Sequence, residues 1–283
     1  MLWEYFLAPG VSMKISTLLC LFALALSISC GKKADSSAPT PRRIVPVDPK
    51  QIEIVMRRQV MDCDAVDGGK CPDGVARLLI IDPTGVRKAI VCSGFMVSKT
   101  KLVTNHHCVP DEAACKDTNV AVYHDGGYHR TKCKKLIKAK EDHENPKDLK
   151  RKVDFAVFEI AKEFEGTTFK LSKSRATPED EVTAWVIDHT GLDAEIVNNS
   201  RSRVTEFKCE VQKQNESHSL MLLNCPIING NSGSPALNSS GEVIGVIWGG
   251  TNPTLSTQTP LKERRASSGK GAVTEMIHFE EFI

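Results

Sequence analysis

The chain has 283 residues, 41% of them hydrophobic and 25% charged, enough apolar material for one large all-β domain or two modest ones. With 37 basic and 35 acidic residues its formal net charge is +2, and the basic stretches at 132–135 and 262–265 are short. This balance excludes a polycationic face, and with it nucleic acid as the main partner.

Met13-Lys14 precede an almost wholly apolar run from Leu18 to Ile28 that is too short to span a bilayer. The run ends in Leu-Ser-Ile-Ser-Cys-Gly, residues 26–31. A basic start, an apolar middle and a small residue at the cut predict a secretory signal over residues 1–29. Glu4 and Pro9 fit that plan badly, which places the start of translation at Met13. The junction resembles a bacterial lipoprotein cleavage site, although Ser27 stands where that pattern prefers leucine. The resemblance implies that Cys30 becomes the lipidated first residue of an exported protein anchored in a bacterial envelope membrane, periplasmic or at the cell surface. Removing Cys20 with the signal and assigning Cys30 to lipid leaves Cys63, Cys71, Cys92, Cys108, Cys115, Cys133, Cys209 and Cys225. An even set suits disulfides in an exported chain.

Residues 30–47, beyond the cysteine, are rich in Ser, Ala, Pro and Lys and read as a flexible tether. Asp48-Pro49 is a helix start, and Ile52, Val55, Met56 and Val60 follow at helical spacing. Residues 48–74 are therefore expected to form a short helical, disulfide-bearing extension. From Val75 to the end the texture is one of short apolar strands broken by turns. Candidates 76–81 and 86–97 flank Asp82-Pro83-Thr84-Gly85, a hairpin signal. Further candidates are 101–105, 119–123, 135–139, 153–160, 182–187, 203–211, 219–224 and 242–248. Many strands and few helices predict an all-β barrel or sandwich over 75–283.

Three segments carry chemistry. The first, 92–109, contains Cys-Ser-Gly-Phe-Met-Val-Ser and then Lys-Leu-Val-Thr-Asn-His-His-Cys-Val. The second is Val-Asp-Phe-Ala-Val-Phe-Glu-Ile at 153–160. The third is Asn-Gly-Asn-Ser-Gly-Ser-Pro-Ala-Leu at 229–237, followed by Gly-Glu-Val-Ile-Gly-Val-Ile-Trp-Gly-Gly at 241–250. Acyl transfer by a serine needs an imidazole to take the hydroxyl proton. It needs a carboxylate to hold the imidazole in the right tautomer, and fixed N–H donors for the oxyanion. Ser232, His107 and Asp154 supply the side chains, and the N–H groups of Gly230 and Ser232 are placed to converge on one point. Asp154 sits in an apolar strand, where an unpaired charge would be costly. Asp142 and Asp148 are the alternative carboxylates, and His106 is a neighbour of the base. A metal site at His106, His107 and Cys108 is disfavoured. Adjacent histidines in a strand point to opposite faces, and no Cys-x-x-Cys pair is present.

These segments, in the order His, Asp, Ser, resemble the chymotrypsin-type serine proteases, most closely the bacterial glutamyl endopeptidase group. The resemblance covers roughly residues 76 to 275. It implies two antiparallel six-stranded β-barrels with the active site in the cleft between them. It also implies peptide-bond hydrolysis through an acyl-enzyme without metal or organic cofactor, protein or peptide substrates, and a Cys92–Cys108 disulfide around the catalytic histidine. Cys209–Cys225 would join two strands leading into the nucleophile loop, and Cys63–Cys71 and Cys115–Cys133 follow by proximity. The primary pocket would have its base at Pro226 and Ile227 and its wall at Ile247, Trp248 and Gly249. Pro226 stands where trypsin has an aspartate, and Ile247 where glutamyl endopeptidases have a histidine, so neither basic nor acidic specificity carries over. Asn231 replaces the aspartate that pairs with a new N-terminus in trypsin, which leaves Arg42-Arg43-Ile44-Val45 as an exposed basic linker. The competing reading is a catalytically silent protease-like surface binding module.

Overall fold

The computed structural model describes residues 61–81, 90–142, 153–188, 202–214, 219–250 and 261–283. The expected signal, Cys30, the tether, the helix after Pro49 and the 82–85 turn lie outside them.

The first barrel is built from β2 (Val75–Ile80), β3 (Ile90–Met96), β4 (Lys101–Thr104), β5 (Thr118–His124), β6 (Gly127–Asp142) and β7 (Val153–Ile160). The strands run in the order β2-β3-β4-β7-β6-β5, and pairing of β2 with β5 closes the ring. Every ladder is antiparallel. Asp125 and Gly126, with φ of 45° and 73°, make the two-residue turn between β5 and β6, a geometry whose twist matches the flanking strands.

The second barrel contains β8 (Glu181–Asp188), β9 (Ser202–Gln214), β10 (Ser219–Leu223), β11 (Pro235–Leu237), β12 (Val243–Gly250) and β13 (Gly271–Glu275). Its order is β9-β10-β13-β12-β11-β8, closed by β8 on β9. Outside this ring β1 (Met61–Asp64) lies parallel to β9. Two short helices, α1 (Glu112–Lys116) and α2 (Leu261–Arg265), complete the main elements. The architecture is the chymotrypsin-like double barrel.

Three apolar clusters explain the strand sequences. Ala76, Leu78 and Ile80 fill the first barrel with Ala156 and Phe158, while Val75 and Leu79 face a different cluster. That second cluster takes Phe155 and Val157 from β7 and Trp185, Ile187, Val204 and Val246 from the other barrel, so it is the seam between them. Both faces of β2 and β7 are buried, which is why these strands read as continuous apolar runs instead of alternating. The third cluster, with Val186, Phe207, Leu222, Ile244 and Val273, is the core of the second barrel. Four disulfides cross-link the fold: Cys63–Cys71, Cys92–Cys108, Cys115–Cys133 and Cys209–Cys225.

Candidate active site

β4 ends at Thr104, and the next residues form a turn, not the continued strand expected from sequence. Asn105 stops the ladder: its carbonyl accepts the N–H groups of Cys108 and Val109 at 3.2 and 3.1 Å. Its side-chain amide donates to the Asp154 carbonyl at 2.7 Å. The Cys92–Cys108 disulfide fixes the far side of the turn to β3. The turn, not strand alternation, therefore sets His106 and His107, each beside a different carboxylate. His106 Nδ1 lies 3.2 Å from Glu141 Oε2. His107 Nδ1 lies 2.6 Å from Asp154 Oδ2, and the His107 backbone N–H donates to Asp154 Oδ1 at 3.2 Å.

The Asp154 side chain has no solvent exposure, whereas that of His107 is 35% exposed. An ionised carboxylate there accepts a hydrogen bond from Nδ1–H, which keeps the proton on Nδ1 and leaves Nε2 as the acceptor. The Asp154 backbone N–H donates to Thr274 Oγ1 of β13 at 3.0 Å, so this strand end is also tied to the other barrel. Asp142, the alternative carboxylate, is exposed at the end of β6, and Asp148 lies outside the described residues.

Ser232 stands between β10 and β11 in a turn bounded by Gly230 and Gly233, with φ of 93° and 94°. The glycine at 233 is required on two counts. Its φ is left-handed, and a Cβ there would stand 1.9 Å from the Ser93 carbonyl oxygen. Ser93 grips the turn twice: its N–H donates to the Ser232 carbonyl at 2.7 Å, and its hydroxyl to the Gly230 carbonyl at 2.9 Å. Thr104 Oγ1 in turn donates to the Ser93 carbonyl at 2.7 Å.

Consecutive residues of β3 thus meet both halves of the site. Ser93 holds Ser232, while a ring nitrogen of His107 lies within 4.8 Å of the Cys92 sulfur. The Ser232 hydroxyl itself points to the Trp248 carbonyl, 3.4 Å away. Asn231, fully buried, donates its amide to the Ile187 carbonyl at 2.8 Å and accepts the Ile228 N–H at 3.0 Å. Ser93, Thr104, Asn105 and Thr274 were not singled out in the sequence. Their only signal is a polar residue inside or directly ending an otherwise apolar strand.

Residues 92–246 match the model of the trypsin-like peptidase domain. The chain belongs to that family. No curated protein matches it. Among solved structures, this member of the family is similar to a serine endoprotease from Yersinia pestis, with 18% identity, a TM-score of 0.48 and 84% of this chain covered. The match spans 65% of that protein's chain. It is also similar to a protein of M. tuberculosis H37Rv, seen as an inactive serine-to-alanine mutant, with 13% identity and a TM-score of 0.43. That match covers 74% of this chain and 83% of the other.

In the peptidase domain, Pro226, Ile227 and Ile228 are buried just ahead of the Ser232 turn. Ile227 and Ile247 belong to one cluster, the second barrel's core, so the segment expected to floor the pocket is continuous with that core. Gly250 and Gly269 press against it. A Cβ on Gly250 would stand 2.5 Å from the Ile227 carbonyl oxygen, and one on Gly269 would stand 2.9 Å from Pro226 Cα. Trp248 is buried and Gly249 half-buried along the adjoining strand. Lys270, partly exposed, lies between Gly269 and Gly271.

Cys92, His107 and Cys108 form a cluster of metal-ligating residue types among the described residues. Their sulfurs are joined to each other, and His107 Nδ1 is taken by Asp154, so the donor set does not fit a metal ion.

Proposed function

We propose that this protein is a serine endopeptidase in which Ser232 attacks the peptide carbonyl, His107 takes and returns the proton, and Asp154 holds the imidazole. The single observation carrying this reading is the 2.6 Å contact of His107 Nδ1 with a carboxylate buried out of water, on an imidazole that is otherwise open. Such a carboxylate favours one tautomer and stabilises the imidazolium formed during attack. Rotation about the Ser232 Cα–Cβ bond moves the hydroxyl from the Trp248 carbonyl towards the base as substrate enters, since catalytic hydrogen bonds often tighten only with substrate bound. The N–H groups of Gly230 and Ser232 receive the oxyanion. The acyl-enzyme is then hydrolysed by water.

The apolar pocket segment supports cleavage after medium-sized apolar residues. A buried lysine or glutamate would find no opposite charge at Pro226, Ile227 or Ile247. Lipidation at Cys30 would tether the enzyme to an envelope membrane, and Cys30→Ser would release it to the soluble fraction. Fluorophosphonate labelling tests the core of the reading. The wild type should be labelled on Ser232, and a folded Ser232→Ala variant should not. A folded wild type that takes no label would favour the silent binding module instead.

A further inference from the structure

Two buried arginines reach the same end of the second barrel, Arg264 from within it and Arg77 from β2 of the first. Arg264, in α2, is ion-paired through Nη2 with Oδ2 of Asp188, the last residue of β8, and their side chains are 0% and 1% exposed. The guanidinium carbon of Arg264 lies 5.8 Å from the centre of the Phe207 ring. Arg77, 1% exposed on β2, donates to the hydroxyl of Ser202, the first residue of β9, at 2.7 Å. Burial brings the Arg77 guanidinium down to about 10, so it stays charged at neutral pH. Asp64 engages the more exposed Arg203 and Arg265 at 3.5 and 3.3 Å, and the positive charge of Arg203 also bears on Asp188, whose direct ion pair is with Arg264.

The Arg264–Asp188 pair is a poor device for stability. Burial raises Asp188 and lowers Arg264, in both cases against the favourable effect of the partner charge. Pairs this buried often contribute less than apolar residues of the same volume, so what such a pair fixes is geometry. Here the geometry leads to the reactive loop. One residue before Asp188, the Ile187 carbonyl accepts the Asn231 amide at 2.8 Å. Asn231 stands directly between Gly230 and Ser232, the two proposed oxyanion donors, and its side chain also holds the Ile228 N–H. Asn231 is neutral and bonded through both its amide oxygen and its nitrogen, and this line of contacts reaches a charged pair one residue beyond Ile187.

We propose that Arg264 is a positioning residue of the peptidase. Its pair with Asp188 fixes the end of β8, and the Ile187 carbonyl passes that position through Asn231 to the N–H groups of Gly230 and Ser232. This rests on the serine-peptidase reading above. Arg77, beside Ser93 in the β2–β3 register, braces the start of β9 against the same loop's other support.

The test compares Arg264→Met with the double variant Arg264→Met/Asp188→Leu, which removes both charges and restores apolar packing. For each, thermal stability, the Ser232 fluorophosphonate labelling rate, and kcat and KM on an Ala-Ala-Pro-Leu p-nitroanilide are measured. The ¹⁵N resonances of the Gly230 and Ser232 amides are recorded alongside. Arg264→Met should lower kcat by ~10–100-fold, less than the ~10²–10³ of losing an oxyanion donor outright, with KM within about 3-fold. Both amide resonances should shift. The double variant should regain thermal stability but keep the low kcat and the shifted amides. Unchanged kcat and amides in either folded variant would overturn the proposal, as would a double variant that regains kcat together with stability. A wild type inert to the label would refute the peptidase reading alone, and the amide resonances would still decide whether Arg264 positions the loop.

Discussion

The two barrels hold their parts of the site by different means. In the first, the imidazole rides on a turn locked by a disulfide to β3 and by the Asn105 amide to β7, and its buried charges are Arg77 and Asp154. In the second, where the Cys209–Cys225 disulfide lies upstream of the loop, the Ser232 turn itself is held by hydrogen bonds, and the buried charges among the described residues are Asp188, Glu206, Arg264 and Glu275. A base needs one ring oriented. A nucleophile loop must orient a hydroxyl and two backbone donors together. The first task is met by a covalent clamp and one carboxylate, and the second recruits a polar network. Polar networks specify a geometry sharply only while every member is satisfied.

Losing either reacting group should erase this difference. Ser232→Ala and His107→Ala, one from each side of the cleft, should each reduce kcat on the order of 10⁵-fold or more while thermal unfolding stays near that of the wild type. Substantial turnover in either folded variant would remove that residue from the mechanism.

Gly233→Ala strikes the seam. A methyl group 1.9 Å from the Ser93 carbonyl oxygen forces the nucleophile turn off β3. Destabilisation of at least about 3 kcal/mol is expected, with loss of labelling, measured by urea unfolding. A variant as stable and as active as the wild type would show that the barrels are not docked through this turn.

The smallest expected effect tests whether the first barrel tolerates change away from the seam. Asp73, just before β2, accepts the Asp125 N–H at 3.0 Å, His124 Nδ1 at 3.1 Å and the Thr167 N–H at 3.3 Å. Burial pushes its carboxyl up, but these donors prevail and hold it below the ordinary 3.8. A lowered folded-state value means that its stabilisation is complete above 3.8 and disappears as pH falls through the lowered value. Asp73→Asn should therefore cost about 1 kcal/mol at pH 6, with the gap to wild type closing below pH 4 and kcat unchanged. A gap that widens in acid would reverse the sign of the argument.

The barrel strands buried on both faces were the most legible from sequence. Residues 153–160 were expected as a strand and form β7, because continuous apolar runs carry their own signal. β13 was not foreseen. Its Gly-Ala-Val-Thr-Glu is entirely buried, yet Thr274 and Glu275 look like surface residues until their partners are known: the Asp154 N–H for one and Arg175 for the other. β11 is three residues long, too short to show a period, and β1 carries two aspartates on a strand added outside the ring. At the site, the motifs pointed to the residues proposed to react but not to what holds them. Ser93, Asn231 and Arg264 act through hydrogen bonds to residues 137, 44 and 76 positions away, and no local pattern encodes such a separation.

The clamp on the histidine turn has a consequence in time. Cys92 and Cys108 are 2% and 1% exposed, so a reductant meets them only before the barrel closes. Folding is thus the stage at which the oxidation state of the surroundings acts most directly on this clamp. Dithiothreitol added to the finished protein should leave fluorophosphonate labelling intact. The same concentration present throughout refolding should yield chains that never label, and labelling that survives reductive refolding would mean that the turn can be built without its clamp. A chain made where thiols stay reduced would then carry its nucleophile without a seated base, latent until it reached an oxidising place and permanently armed after that.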